Sequence, residues 1–353
     1  MSKTKRARSS RARRLALSLA VSLSFALPLL AACDDSDGGE LPLADGSATP
    51  AEGGAIETPG PSGERPTSAD RPSEGATCSP ARSHEAGNTE GTLAFQGADR
   101  TYLLHVPPSY DGDEAVPLVL NLHGLGSSAR EQAAYSGLPA KADAEGFVVV
   151  SPQGQGPIAY WNVARGAADV SFLGELLTAL EEQLCIDPAR VYSTGISNGA
   201  LMSSRLACDL SDRIAAVAPV AGVSFPNACT PARPVPVVAF HGMADSIVPF
   251  EGGPIGIAAL RSFIAQPVRE SVAKWADHNG CAAAPREEQV SEHVTLVSHE
   301  QCTEGATVEL YSVDGGGHTW PGAAVDVAAL GATTREISAT DLHWEFFAAH
   351  PKP

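Results

Sequence analysis

Gly195-Ile196-Ser197-Asn198-Gly199 is the stretch of this 353-residue chain whose chemistry reads most directly. The pentapeptide has the form G-x-S-x-G. It lies between Arg190–Thr194, a strand pattern, and Asn198–Cys208, a helical one. A serine on a sharp strand-to-helix turn projects its hydroxyl above a sheet, and glycines on either side let the turn close without Cβ clashes. The helix N-terminus adds N–H groups and positive potential for a developing oxyanion. The chemistry so indicated is nucleophilic acyl transfer, with Ser197 as nucleophile. The competing reading, an ordinary βα turn, is disfavoured by the strand–turn–helix context.

A serine of this kind needs a base, and the base needs an orienting acid; in α/β-hydrolases these follow the serine as acid, then histidine. Asp245 lies just beyond the apolar run Val235–His241, within His241-Gly242-Met243-Ala244-Asp245. His318 follows Val308–Val313, after Gly315-Gly316-Gly317. Both then sit on loops at the carboxyl ends of strands, the edge to which Ser197 belongs. His299 and His343 are rivals better read as surface or packing residues, and Asp314 and Asp277 are substitutes for Asp245. Upstream, Asn121-Leu122-His123-Gly124-Leu125-Gly126-Ser127-Ser128 occupies the place of an oxyanion loop. One donor is the main-chain N–H near Gly124 or Leu125, with Leu125 preferred; the other is that of Asn198. His123 reads as a structural histidine bonded to loop backbone. Trp161, Trp320 and Phe250 are candidates to line a substrate pocket, Trp320 being best placed beside His318.

These positions require alternating strands and helices. The patterning gives a hairpin (Thr92–Phe95 with Thr101–Val106), strand Val116–Leu122, helix Ser128–Ala144 and strand Phe147–Ser151. Helix Ala168–Leu184, strand Arg190–Thr194 and helix Asn198–Cys208 follow, then a short strand, Ala215–Ala218, stopping at Pro219. Strand Val235–His241, helix Pro267–Asn279, strand Val308–Val313 and helix Ala339–Ala349 complete the series. Near-continuous apolar runs such as Val148-Val149-Val150 suit strands covered on both faces, so the class is α/β with a mainly parallel sheet and helices on each side.

In their order along the chain, LHGLGSS, YWNV with DVSFL after it, RVYSTGISNGALMSSRLAC, HGMADSIVP, WADHNGC and VELYSVDGGGHTWPG span most of residues 95–350. This set resembles the α/β-hydrolase superfamily and, within it, extracellular polyhydroxybutyrate depolymerases and feruloyl or acetylxylan esterases. The resemblance implies a Ser197–Asp245–His318 triad, an acyl-enzyme mechanism without metal or organic cofactor, and a Cys281–Cys302 disulfide. Many polymer-degrading relatives carry a separate binding module, whereas this chain ends just after its last helix; Val163–Ala168 is also less Gly- and Cys-rich than the group's pattern. Soluble hydroxyalkanoate oligomers or small feruloyl and acetyl esters therefore fit better than crystalline polyester. A serine peptidase of the prolyl-oligopeptidase kind and a non-catalytic binding protein on the same fold are the alternatives.

The front of the chain differs from the rest. Residues 1–33 hold seven Lys/Arg and no acid, leading into the apolar run Leu15–Ala31 and Leu30-Ala31-Ala32-Cys33. This is the signal-peptide pattern with a lipobox-like end, so Cys33 is the expected lipidation site; cleavage near Ala31 or Ala32 is the alternative. Residues 34–77 contain eight Gly, six Pro and ten acids, with no aromatic, and read as a disordered linker. Residues 78–353 form a single catalytic domain. The expected location is extracytoplasmic, either lipid-anchored in the periplasm or at the cell surface, or secreted. Beyond the basic front, 17 basic residues face 41 acidic ones, which disfavours nucleic acid as a partner. The partners expected are an ester substrate and, through the anchor, a membrane, with no protein partner. Six cysteines remain after Cys33, an even number that implies disulfides in an exported chain, and no clustered Cys/His spacing suggests a metal. Short loops favour Cys208–Cys229 and Cys281–Cys302, leaving Cys78–Cys185.

Overall fold

The computed structural model describes residues 76–282 and 284–353. The signal-like segment, Cys33 and nearly all of the linker lie outside the described residues. Strands β1 (Gly87–Phe95) and β2 (Ala98–Val106) form the opening hairpin, longer at both strands than the patterning indicates. After β3 (Val116–Leu122) come α1 (Ala129–Ser136), α2 (Leu138–Glu145) and β4 (Val148–Pro152). The single helix expected over Ser128–Ala144 is thus two. Gly137, at φ 67°, caps α1 in the left-handed region, and Pro139 lies in the first turn of α2, where a missing N–H costs nothing.

Next are α3 (Ala168–Gln183), β5 (Ile186–Ile196), α4 (Asn198–Asp209), β6 (Ala216–Val220) and β7 (Val237–Gly242). β6 does not stop at Pro219. The N–H groups of Val217 and Ala221 donate to Pro236 and Phe240, and Pro219 falls between them on the same side of the strand. The β6–β7 pairing correspondingly holds only at Val217 and Val220. A small ribbon, β8 (Gly253–Pro254) with β9 (Ile264–Ala265), precedes α5 (Val268–His278). The chain ends with β10 (Arg286–Ser291), β11 (Val294–His299), β12 (Val308–Val313) and α6 (Ala339–Ala349).

Ten strands make one sheet in the order β1-β2-β4-β3-β5-β6-β7-β12-β11-β10. The pairings from β4 to β12 are parallel, and antiparallel hairpins flank them at both ends. The continuous apolar strands feed two cores by alternation. Leu118, Leu120 and Leu122 join Leu173 and Leu177 of α3 and Met202 and Leu206 of α4 on one face. Val119, Val149, Val238 and Phe240 join Leu138 of α2 and Phe346 and Phe347 of α6 on the other. This is the mainly parallel α/β sheet, covered by helices on both faces, that the patterning predicts.

The structure pairs Cys78 with Cys185, Cys208 with Cys229 and Cys281 with Cys302. Contacts reach ahead of the expected boundary at Cys78: Ala115 N–H donates to Ala76 O, and Thr77 bridges Glu114. Ala76–Cys78 therefore lie beside residues 113–115 at the amino ends of the parallel strands. Lys352 N–H donates to Ala189 O near the start of β5, on that same edge.

Candidate active site

Ser197 connects β5 to α4 with φ 57° and ψ −120°, a conformation that side-chain-bearing residues rarely adopt, and its N–H is held by Val220 O at 2.9 Å. The strain sits on the serine rather than on its glycines. Gly199 is needed for space: a Cβ there would stand 2.1 Å from Leu122 O and 2.8 Å from His123 O. The first turn of α4 thus rests directly on the end of β3. A Cβ on Gly124 would lie 3.5 Å from Ser197 Cβ, so the β3–α1 loop borders the serine.

Asp245 and His318 arrive from the ends of β7 and β12, neighbours in the sheet, and their loops are joined by Met243 N–H to Val313 O and Ala244 N–H to Gly316 O. Gly317 allows close passage of Leu330, whose O would be 2.3 Å from a Cβ; the next residue, His318, donates its N–H to that same carbonyl at 2.7 Å. The imidazole Nδ1 meets Asp245 Oδ2 at 2.7 Å, with both side chains buried. Asp245 Oδ1 accepts the N–H groups of Ile247 and Val248, each at 2.8 Å. Burial alone would raise the Asp245 carboxyl. Hydrogen bonds from His241 and His318 outweigh it and hold the group well below the usual carboxylate range. Among the described residues neither His318 Nε2 nor Ser197 Oγ hydrogen-bonds to another protein group.

The rivals lie elsewhere. Asp314 is exposed, His299 ends an outer strand, and His343 is wholly buried against Trp320, Phe240 and Phe347. His123 is also buried: Nδ1 bonds to Gly124 O at 2.7 Å and Nε2 accepts from Gly154 N–H at 2.9 Å. Sequence reasoning missed His241. This last-but-one residue of β7 places Nε2 3.3 Å from Asp245 Oδ2 and 2.9 Å from Val248 O. Its position four residues before the acid, at a strand end, was the available signal.

The N–H groups of Leu125 and Asn198 form no hydrogen bond among the described residues. The tryptophans need correction. Trp320 is 0% exposed, with its indole N–H bonded to Thr340 Oγ1, so it packs the core behind His318. Trp161 is 1% exposed and bonds to His123 O, so it backs the β3–α1 loop. Phe250 is buried as well. Exposed large apolar side chains are instead Leu125, Ile158, Tyr160 and Met243, on loops after strand carboxyl ends, together with Phe263, Ile264, Val290, Val325 and Val327. Beside Trp161, Gln155, Gly156, Tyr160, Asn162, Ala168 and Asp169 line a recess of about 210 Å³.

Residues 100–252 match the family described as esterase PHB depolymerase. The chain is 31% identical over 229 residues to "Feruloyl esterase B" of Piromyces equi, covering 62% of this chain but only 42% of that protein. It is 33% identical over 287 residues to "Putative esterase NocK" of Nocardia uniformis subsp. tsuyamanensis, covering 74% of this chain and 83% of the relative. The acetyl xylan esterase from Aspergillus awamori superposes with a TM-score of 0.53 at 15% identity, over 74% of this chain and 99% of that one, a likeness of fold.

Proposed function

We propose how a chain that belongs to the PHB depolymerase-type esterase family works: as a serine carboxylic ester hydrolase with Ser197 as nucleophile, His318 as general base and Asp245 as orienting acid. The observation that carries this reading is the buried 2.7 Å contact of His318 Nδ1 with Asp245 Oδ2, on the sheet edge where Ser197 is held in its strained turn. Asp245 stays ionised and fixes the imidazole tautomer, leaving Nε2 to act as the base toward the serine. His318 takes the Ser197 proton as Oγ attacks the ester carbonyl. The N–H groups of Leu125 and Asn198 receive the oxyanion. His318 then returns the proton to the departing alcohol, and water activated by the same imidazole releases the acid.

The substrates proposed are feruloyl or acetyl esters and hydroxyalkanoate oligomers, by analogy with the relatives' names and the family description. Leu125, Ile158 and Tyr160 supply apolar surface for the acyl group. The chain is proposed to work outside the cytoplasm, in keeping with the three disulfides among the described residues, and to be anchored through lipidated Cys33.

The test follows hydrolysis of a short-chain aryl ester, methyl ferulate and hydroxybutyrate oligomers by exported protein, with Ser197→Ala as control. Turnover lost in the variant supports the nucleophile, and the preferred ester names the branch. Equal inertness of both proteins on all three substrates would overturn the reading.

A further inference from the structure

The two proposed oxyanion donors come from separate segments, Leu125 from the loop after β3 and Asn198 from the start of α4. Their separation must be fixed for both to reach one oxygen, and Trp161 touches both segments. Its indole Nε1 donates to His123 O at 3.0 Å. Its main-chain N–H donates to Asn198 Oδ1 at 2.7 Å, and its carbonyl accepts from Asn198 Nδ2 at 3.0 Å. The Asn198 carboxamide therefore pairs with the Trp161 backbone in both directions, much as one strand residue pairs with another. The preceding residues hold the oxyanion loop too: Gly126 N–H donates to Ala159 O at 2.7 Å, and Gly154 N–H to His123 Nε2 at 2.9 Å. The Trp161 ring packs 5.1 Å from that of His123, fully enclosed.

We propose that Trp161 is a positioning residue that braces the oxyanion hole, setting the distance between the Leu125 and Asn198 N–H groups from behind. The inference rests on the triad reading given above. Because the oxyanion exists only in the tetrahedral transition state, a loosened brace lowers kcat and leaves KM nearly unchanged. A tryptophan that merely fills space would change thermal stability without that signature.

The test uses the full exported chain and Trp161→Phe, which keeps an aromatic ring in the site and removes the indole N–H. Expected are a fall in kcat of about 10- to 100-fold on an aryl ester, below the full loss of a hole donor, and a KM close to wild type. Affinity for a trifluoromethyl ketone inhibitor, which mimics the oxyanion, falls by the same factor. Asn198→Ala, which keeps its own N–H, gives the same pattern, and the double variant is no worse than the weaker single one because both break one brace. Should Trp161→Phe fail to fold, Asn198→Ala carries the test. Wild-type kcat and inhibitor affinity in the folded variant, or a change confined to KM, overturns the proposal alone. An inactive wild type, or an active Ser197→Ala, overturns the triad reading and the brace with it.

Discussion

Ser197 carries positive φ at a position where glycine would be unstrained, so activity and stability pull in opposite directions at one side chain. Ser197→Gly and Ser197→Ala are both expected to be inactive, with the glycine variant more stable by about 1–2 kcal/mol because it alone adopts this conformation freely. In a domain of this size that is about 2–6 °C in Tm, measurable by calorimetry. Asp245→Asn is expected to lower kcat by about 10³- to 10⁴-fold with little change in KM, since an amide cannot hold the same imidazole tautomer. Asp314→Asn, at an exposed position, is expected to leave the rate near wild type. Steady-state kinetics on one aryl ester separates the two. The positions of the proposed triad are legible in the sequence because each chemical residue type follows an apolar strand. His241 and the Asn198–Trp161 pairing were not, since a carboxamide bonded to a distant backbone leaves no periodic trace.

Among the elements, the central strands were readable because alternate residues of each run enter different cores, which demands apolar side chains throughout. β10, Arg286–Ser291, was missed for the opposite reason: it lies at the sheet's outer edge, largely exposed, and its charged side chains carry no apolar alternation. Gly137-Leu138-Pro139 held the signal for the α1–α2 break, but the helical spacing on either side masked it. Helix α6 matches its expected limits and brings a titratable consequence. His343 is buried beside Thr194, with Nε2 lacking a hydrogen-bond partner, and burial pushes its pKa down to about 3 from 6.5. Between those values the unfolded chain binds a proton that the fold refuses, so stability falls as pH falls, by up to about 1.4 kcal/mol per pH unit. His343→Phe is expected to melt with a smaller drop in Tm between pH 6.5 and 4 than wild type, as read by thermal scans across that range.

For the whole molecule, the disulfides differ in how much chain they close. Cys78–Cys185 spans a sequence separation of 107, against 21 for each of the others. Loop-closure entropy favours the long bridge by about 1.5 kcal/mol. Cys78→Ser with Cys185→Ser is therefore expected to lower Tm by about 3–5 °C more than removal of either short bridge, by scans of purified variants. The placement of that bridge has another consequence. Ala76–Cys78 and Lys352 both lie at the amino ends of the strands, while Ser197, Asp245 and His318 lie at the carboxyl ends. The seven residues of β3 alone separate these edges by roughly 23 Å. A bead or film gripping the domain at either extremity would hold it by its back, with the proposed nucleophile turned outward to whatever solid, fibre or solute approaches.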